Sequence, residues 1–156
     1  MFFLPKIFRS VRIGFVPKRI LIIGLGRFGF SLAESLAIRK CEVIAIDKDM
    51  ARVSEIKDRV TYAAQVDGTD VESLRSVKAD SVAAAVVGMG DNFEAAMLCV
   101  AALKEVGVAQ VIARAQTARH ARILAAIGAS EVLQIEADMG RRLADSIVER
   151  PDKPSG

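Results

Sequence analysis

Residues 19–29 read RILIIGLGRFG, and this stretch decides the fold. Its first half is an uninterrupted apolar run, which is typical of a strand buried on both faces of a parallel sheet. Its second half is the pattern Gly24-x-Gly26-x-x-Gly29, and helical periodicity then continues to about Arg39. The next apolar strand ends at Asp47. This order of strand, glycine turn, helix and strand-end acid predicts a dinucleotide-binding βαβ unit.

The three glycines have separate physical roles in such a turn. Gly24 is expected to make the tight turn, Gly26 to let backbone amides approach a phosphate, and Gly29 to let the helix pack closely on the strand. The positive end of the helix dipole then faces the anion. A glycine turn that binds no ligand is the alternative.

Charged residues beside the turn refine the expected ligand. Asp47 would accept hydrogen bonds from ribose hydroxyls and repel a 2′-phosphate, so NADP is disfavoured. Arg27, between the second and third glycines, could bind a terminal phosphate as a fork. Lys48 either reaches a phosphate or stays in solvent. For Asp47 the alternative is a strand-end acid that binds no ligand. For Arg27 the alternative is a side chain that is simply solvated.

Strand and helix patterns alternate along the rest of the chain, with short connections. Thr69 and Glu72 have the spacing of a capping box at the third helix. The alternation predicts an α/β, Rossmann-like, doubly wound parallel sheet of order 3-2-1-4-5-6, with helices on both faces. The later strands are predicted at Glu42–Ile46, Thr61–Val66, Val82–Val87, Gln110–Ala113 and Glu131–Ile135, and the later helices at Asp49–Lys57, Asp70–Val77, Asn92–Glu105, Thr117–Ile127 and Ala137–Arg150.

Two further loops follow strands at the same edge of the predicted sheet. In Asp67-Gly68-Thr69, the aspartate could accept a hydrogen bond from an adenine amino group, or the loop could be plain turn and cap chemistry. In Gly88-Met89-Gly90, the small residues could leave room for a ligand beside Met89, or form an ordinary loop.

Composition excludes several classes of protein. Two cysteines without metal-ligand spacing and a single histidine argue against zinc, Fe–S and disulfide scaffolds. The basic residues are not spread over the domain, so a nucleic-acid partner is not expected. Tyr62 lacks a lysine four residues later, and His120 reads as a surface helix residue. A catalytic acid or base is therefore missing, which predicts that the protein is not an enzyme. No apolar run is long enough to span a membrane.

Residues 1–18 form a separate segment, predicted to be a basic amphipathic arm with four basic residues and no acidic one. We expect this arm to dock at a membrane-facing surface. Residues 19–150 are predicted to form the nucleotide-binding domain, and residues 151–156 read as a tail or truncated linker.

The helix around Phe93–Leu103 is apolar nearly all round, which favours an oligomer contact over burial within one chain.

These motifs together resemble the RCK/TrkA-N (KTN) family, the cytosolic regulatory subunits of Trk/Ktr-type potassium uptake systems. The resemblance covers about Arg19 to Arg150. It is carried by Ile22–Gly29, Val43–Asp49, Asp67–Asp70, Val111–Ala115, His120–Leu124 and Ile127–Ala129.

The resemblance implies a non-enzymatic gating-ring subunit that binds ATP, ADP or NAD(H) and so controls potassium flux. It implies a homodimer that assembles into an octameric ring at the inner, cytoplasmic face of the membrane, beneath a potassium-conducting membrane subunit. It implies that nucleotide is contacted by Gly24, Gly26, Arg27, Phe28, Gly29, Asp47, Lys48, Asp67, Gly68, Thr69 and Arg114.

The resemblance also puts Glu136 near a divalent-cation site at a subunit interface. The sequence departs from the family pattern twice. Ile135 stands where a proline is usual, and the sequence stops at Gly156 without the usual second regulatory domain, which predicts either a truncated chain or one that lacks that domain. Two other functions stay open: an NAD-dependent oxidoreductase domain, and a nucleotide-binding assembly module for another membrane partner.

Overall fold

The computed structural model describes residues 18–151, and within them strands and helices alternate. Six strands form one parallel sheet, and six helices connect or follow them. The elements are β1 Arg19–Ile23, α1 Arg27–Ile38, β2 Glu42–Asp47, α2 Met50–Ile56, β3 Tyr62–Gln65, α3 Val71–Ser76, a 3₁₀ turn Ala79–Ser81, β4 Ala84–Val87, α4 Phe93–Val106, β5 Val111–Arg114, α5 Ala118–Ala126, β6 Glu131–Leu133 and α6 Ile135–Glu149.

The strand order is β3-β2-β1-β4-β5-β6, which confirms the predicted doubly wound topology. β1 lies between β2 and β4 and pairs with both, so Ile23 is level with Ile46 on one side and Val87 on the other. The chain winds outward in one direction from β1 to β3 and in the other from β4 to β6. The crevice between the carboxyl ends of β1 and β4 is the topological switch point, where ligands bind in this type of sheet.

Alternate residues of β1 enter two different hydrophobic cores. Leu21 and Ile23 pack into one cluster, which includes Leu103 and Val100 of α4. Ile20 and Ile22 pack into the other, with α1 and α2. Because both faces of the sheet are covered, the strand needs no polar side, and this explains the uninterrupted apolar run.

Three residues at which the sequence places helix starts cap those helices in the structure. Asp49, Asn92 and Thr117 each accept a hydrogen bond from a backbone amide in the first turn of α2, α4 and α5. These caps satisfy amides that have no partner within the helix.

Two local expectations were wrong, and one short element was not predicted. Asp70, not Thr69, caps α3, because the Thr69 hydroxyl donates to Asp67 instead. β6 ends at Leu133 and α6 begins at Ile135, because the carboxylate of Asp138 accepts the amide of Gln134 and starts the helix early. The 3₁₀ turn Ala79–Ser81 had no counterpart among the predicted elements.

The exposed apolar surface differs from the expected one. In α4 the inward face is buried, while Glu94 and Lys104 keep its outer face partly polar. α6 instead has no buried residue and exposes Met139, Leu143 and Ile147, spaced four apart along one stripe. The oligomer contact of α4 stays a prediction.

No helix within residues 18–151 is both long and apolar enough to cross a membrane. The predicted arm lies outside the described residues, apart from Lys18, and so does the tail after Pro151.

Candidate functional site

A cavity of about 470 Å³ lies at the switch point, at the carboxyl edge of the sheet. This volume is in the range of small-molecule sites. Loops after β1, β2, β3, β4 and β5 all contribute to its wall. Ten of the predicted residues line it, namely Gly24, Gly26, Arg27, Asp47, Lys48, Asp67, Gly68, Thr69, Met89 and Arg114, whereas Phe28, Gly29 and Glu136 do not.

The glycine turn has the geometry that the sequence predicts. Gly24 has φ +94°, a conformation that side chains disfavour, and its amide donates to the carbonyl of Ile46 at 2.9 Å. A Cβ at Gly29 would lie 1.8 Å from the Gly24 carbonyl oxygen. The turn therefore requires glycine at both positions, and Gly29 acts through packing rather than by facing the cavity.

The N-terminus of α1 is left open toward the cavity. Gly26 is the N-cap and provides no side-chain hydrogen bond, and no acidic residue occupies the first turn. Arg27 is exposed at the first helical position, and its side chain has no ion pair or hydrogen bond to any other residue of 18–151. Backbone amides, the helix dipole and a guanidinium group thus combine at one wall, which suits a phosphate.

Asp47 is buried at the end of β2 and holds the glycine turn in place. Its Oδ2 accepts the amide of Leu25 at 2.7 Å, and its Oδ1 accepts the amide of Asp49 at 2.8 Å. The guanidinium of Arg52 lies 3.7 Å from Oδ2. A carboxylate can accept about four hydrogen bonds, so capacity remains for ribose hydroxyls. The structural role of Asp47 was not predicted.

Lys48 and Asp67 bridge the ends of β2 and β3. The Lys48 ammonium lies 3.7 Å from Oδ2 of Asp67. Oδ1 of Asp67 accepts both the hydroxyl of Thr69, at 2.6 Å, and its amide, at 2.9 Å. These hydrogen bonds, the hydroxyl first, lower the pKa of Asp67, and Lys48 adds to the effect. The loop therefore presents the Asp67 carboxylate in its ionised form, and the hydrogen bonds to Thr69 already fix the turn.

The wall formed by β4, α4 and β5 contains two sulfur-containing side chains and Arg114. Met89 and Cys99 place their sulfur atoms 3.9 Å apart, and burial raises the pKa of the Cys99 thiol to about 12. Arg114 lies with its guanidinium carbon 5.8 Å from the centre of the Phe28 ring, and its Nε is buried without a hydrogen-bond partner. Phe28 thus supports Arg114 from outside the cavity.

Glu136 accepts a hydrogen bond from Nη2 of Arg114 at 2.9 Å. A bond from its own backbone amide lowers the pKa of Glu136, and the charge of Arg114 contributes. Within residues 18–151 no three histidine, cysteine, aspartate or glutamate side chains are grouped to hold a metal ion. The donor set around Glu136 does not by itself fit a cation, because its charged neighbour is an arginine. A cation site shared with another chain stays a prediction.

Comparison with known protein families matches residues 20–135 to the TrkA-N domain. The chain belongs to the TrkA-N family. Ktr system potassium uptake protein C of Bacillus subtilis (strain 168) is 35% identical over 133 residues, which cover 85% of this chain and 60% of that protein. The chain therefore spans less than two thirds of that relative's length.

Solved structures share the fold of this TrkA-N domain. The TrkA-N domain of the inner membrane protein ybaL from Escherichia coli has a TM-score of 0.74 at 21% identity, covering 85% of this chain and 98% of that one. A GsuK channel bound to NAD has a TM-score of 0.68 at 16% identity, covering 82% and 23%. GsuK bound to ADP has a TM-score of 0.67 at 17% identity, covering 88% and 38%.

Cys99 and Arg52 are among the lining residues of the TrkA-N site that were not predicted from the sequence. Cys99 was taken only as part of an apolar helix, although it lies one helical turn after Ala95, which also faces the cavity. Arg52 lies in the first turn of α2, five residues after Asp47, and this spacing could have signalled it. His120 was expected at the surface, but its ring stacks on Phe93 with centroids 3.8 Å apart, outside the cavity lining.

Proposed function

We propose that this TrkA-N domain is the nucleotide-binding part of a regulatory subunit of a potassium uptake system. One observation carries the proposal: the open N-terminus of α1, the unpaired Arg27 and the strand-end Asp47 meet in one cavity at the switch point. This set offers separate partners for phosphate and for ribose.

The proposed ligands are ATP or ADP, or NAD(H). All of them contain an adenosine ribose and a pyrophosphate, which the Asp47 carboxylate and the amides of the α1 N-terminus are suited to bind. The cavity also contains the apolar side chains of Met89, Ala95 and Cys99, against which an adenine ring would pack. The GsuK channel, which shares this fold, has been described bound to NAD and to ADP.

The potassium part of the proposal depends on relatives. Two Ktr system potassium uptake proteins of Bacillus subtilis (strain 168) are 35% and 32% identical to this chain. We therefore infer a cytoplasmic location, a membrane-embedded potassium-conducting partner and assembly into a homodimer and a ring. Nucleotide binding would change the shape of that assembly, and it could do so only by favouring one state over another.

A regulatory function fits the cavity better than catalysis does. The residues that line it include neither histidine nor tyrosine. Its cysteine is protonated at neutral pH, since the pKa of Cys99 is about 12. Histidine, tyrosine and cysteine are three of the groups that commonly exchange a proton in catalysis. Of the lining carboxylates, Asp47 accepts two backbone amides and Asp67 accepts the amide and hydroxyl of Thr69, so both have structural partners. Turnover of NADH by the purified protein would favour the oxidoreductase alternative instead.

The experiment is a calorimetric titration with ATP and ADP, in the wild type and in Arg27→Ala. We expect both nucleotides to bind the wild type. Loss of a charge-assisted contact to the terminal phosphate should weaken ATP binding by about 10- to 100-fold and ADP binding less. Arg39→Ala, at the other end of α1, is the control, because the Arg39 side chain donates to the Ser35 carbonyl and does not line the cavity.

Two outcomes would contradict the proposal at different levels. An equal loss of affinity for ATP and ADP would show that Arg27 does not distinguish the terminal phosphate and only adds positive charge to the site. Absence of binding by the wild type would remove nucleotide sensing altogether. Reconstitution with a Ktr-type membrane subunit, with potassium flux measured under ATP and ADP, then tests the regulatory role.

A further inference from the structure

The amino edge of the sheet, opposite the cavity, has a cluster of basic residues. Lys40, Lys57 and Lys78 lie in the loops that lead into β2, β3 and β4, and all three are exposed. Their side chains have no ion pair or hydrogen bond to any other residue of 18–151. Lys18 precedes β1 in the same way. Because neighbouring strands lie about 4.8 Å apart, the starts of these four strands form one surface about 15 Å across, which we call the basic edge.

Polar contacts hold the loops of the basic edge side by side. The guanidinium of Arg19 pairs with Glu42 at 3.0 Å and donates to the hydroxyl of Ser81 at 2.8 Å. That hydroxyl in turn donates to the carbonyl of Lys78 at 2.7 Å. The amide of Glu42 donates to the carbonyl of Lys18 at 2.9 Å. The acid of this frame is therefore already paired with Arg19, and the lysines around it keep their charge free.

Helix dipoles alone do not account for this charge. In a parallel sheet the connecting helices end at the amino edge, and the negative end of each helix favours a cation. The loops into β5 and β6 lie at the same edge, yet residues 107–110 and 127–130 contain no basic residue. Lys104, in the last turn of α4, donates to backbone carbonyls there. The lysines that lack a partner are thus concentrated in the half of this edge around β1.

An apolar side chain projects beside these lysines. Ile38 is the last residue of α1 and is 71% exposed, and it lines a small groove with Ala37 and Arg59. Proteins that bind anionic membranes place basic residues at the lipid headgroups and apolar side chains at the boundary of the acyl chains. A nucleic acid would also attract the lysines, but its phosphates give an exposed isoleucine no partner. The combination therefore favours lipid.

We propose that the basic edge binds the surface of a membrane that contains anionic phospholipids. The chain enters β1 from residues 1–17, which include basic residues and no acidic one, so the sequence continues the charge of this edge. Asp58 and Asp80 are exposed acids at the same edge, but the basic residues outnumber them. The cavity lies at the opposite edge of the sheet, so it would face away from the lipid. This inference goes beyond nucleotide binding and does not depend on it.

The test is co-sedimentation of the full chain with vesicles of phosphatidylcholine, with and without anionic phosphatidylglycerol. The variant Lys40→Gln/Lys57→Gln/Lys78→Gln removes three charges from the basic edge. We expect the wild type to bind only the anionic vesicles, and the triple variant to bind them about tenfold or more weakly. Added salt should release the wild type, because it screens exposed charges.

The matched control removes the same charge elsewhere. Arg119→Gln/Arg122→Gln/Arg150→Gln changes three exposed arginines on α5 and at the end of α6, outside both the basic edge and the cavity lining. Its vesicle binding should change less than about threefold. Equal binding by the wild type and the lysine variant would overturn the proposal and assign any lipid binding to residues 1–17.

A fluorescent probe tests the orientation separately. The chain contains no tryptophan, so Ile38→Trp introduces a single indole at the basic edge. Its emission should shift to the blue with anionic vesicles, whereas that of Val148→Trp, at an 83% exposed position of α6, should not. An unshifted Ile38→Trp spectrum, or a wild type that binds duplex DNA and not vesicles, overturns the proposal. Nucleotide titration and thermal unfolding of the same variants show whether lipid binding is lost separately from nucleotide binding and from the fold.

Discussion

Replacing Asp47 by asparagine tests whether this carboxylate builds the nucleotide site or only reads the ligand. The two side chains have nearly the same shape, but asparagine has one carbonyl oxygen where aspartate has two acceptors. Asp47 accepts the amide of Leu25 at 2.7 Å and that of Asp49 at 2.8 Å. In Asp47→Asn, one of these amides would face an NH₂ group, so two donors would meet.

The expected cost follows from the burial of this contact. A hydrogen bond to a charged group contributes about 1.5–3 kcal/mol, and a buried donor without a partner costs about 1–3 kcal/mol. The two effects overlap, so we expect the free energy of unfolding to fall by about 2–4 kcal/mol. For a chain of this length that corresponds to a drop in melting temperature of about 5–15 °C. Nucleotide affinity should fall too, because the turn that supplies the phosphate-binding amides is loosened.

Chemical denaturation followed by circular dichroism measures the change in the free energy of unfolding. Calorimetric titration measures the change in nucleotide affinity. Asp49→Asn is the matched control in the same loop. Asp49 caps α2 by accepting the amide of Ala51 at 2.9 Å, and asparagine caps helices equally well. Its stability should therefore change by less than about 0.5 kcal/mol. If Asp47→Asn were as stable as the control, the carboxylate would not hold the turn, and its position at the strand end would need another explanation.

Two further predictions follow from packing in and around the cavity. Gly29→Ala should destabilise the fold by about 1–3 kcal/mol or more in chemical denaturation, because its Cβ would lie 1.8 Å from the Gly24 carbonyl oxygen. Gly140→Ala, where nothing lies within 4 Å, should instead stabilise by up to about 1 kcal/mol, and similar stabilities for the two variants would contradict this. Under native conditions at pH 8, a thiol reagent should modify the half-buried Cys41 quickly and Cys99 slowly, because the pKa of Cys99 is about 12. Fast modification of both thiols would instead show that the cavity wall opens.

Much of the fold was predictable because its signals are local in the chain. The apolar run of β1, the glycine spacing and the helix starts at Asp49, Asn92 and Thr117 each depend on contacts within a few residues. Short connections between alternating strands and helices then left few topologies, and the observed strand order is the predicted one. The errors at α3 and α6 have the opposite cause, since Asp67 and Asp138 took hydrogen bonds that capping rules assign elsewhere.

The sequence by itself determined the parallel sheet, the switch point and many of the residues at its edge, because parallel strands all bring their carboxyl ends to one side. Only the tertiary structure decided which of those residues contact one another. Asp47 holds an amide 22 positions away, Arg114 pairs with Glu136 across the same separation, and Arg52 shares the carboxylate of Asp47. Side chains at one sheet edge have several partners within reach, and the choice depends on burial, backbone direction and competing charges that no local pattern contains.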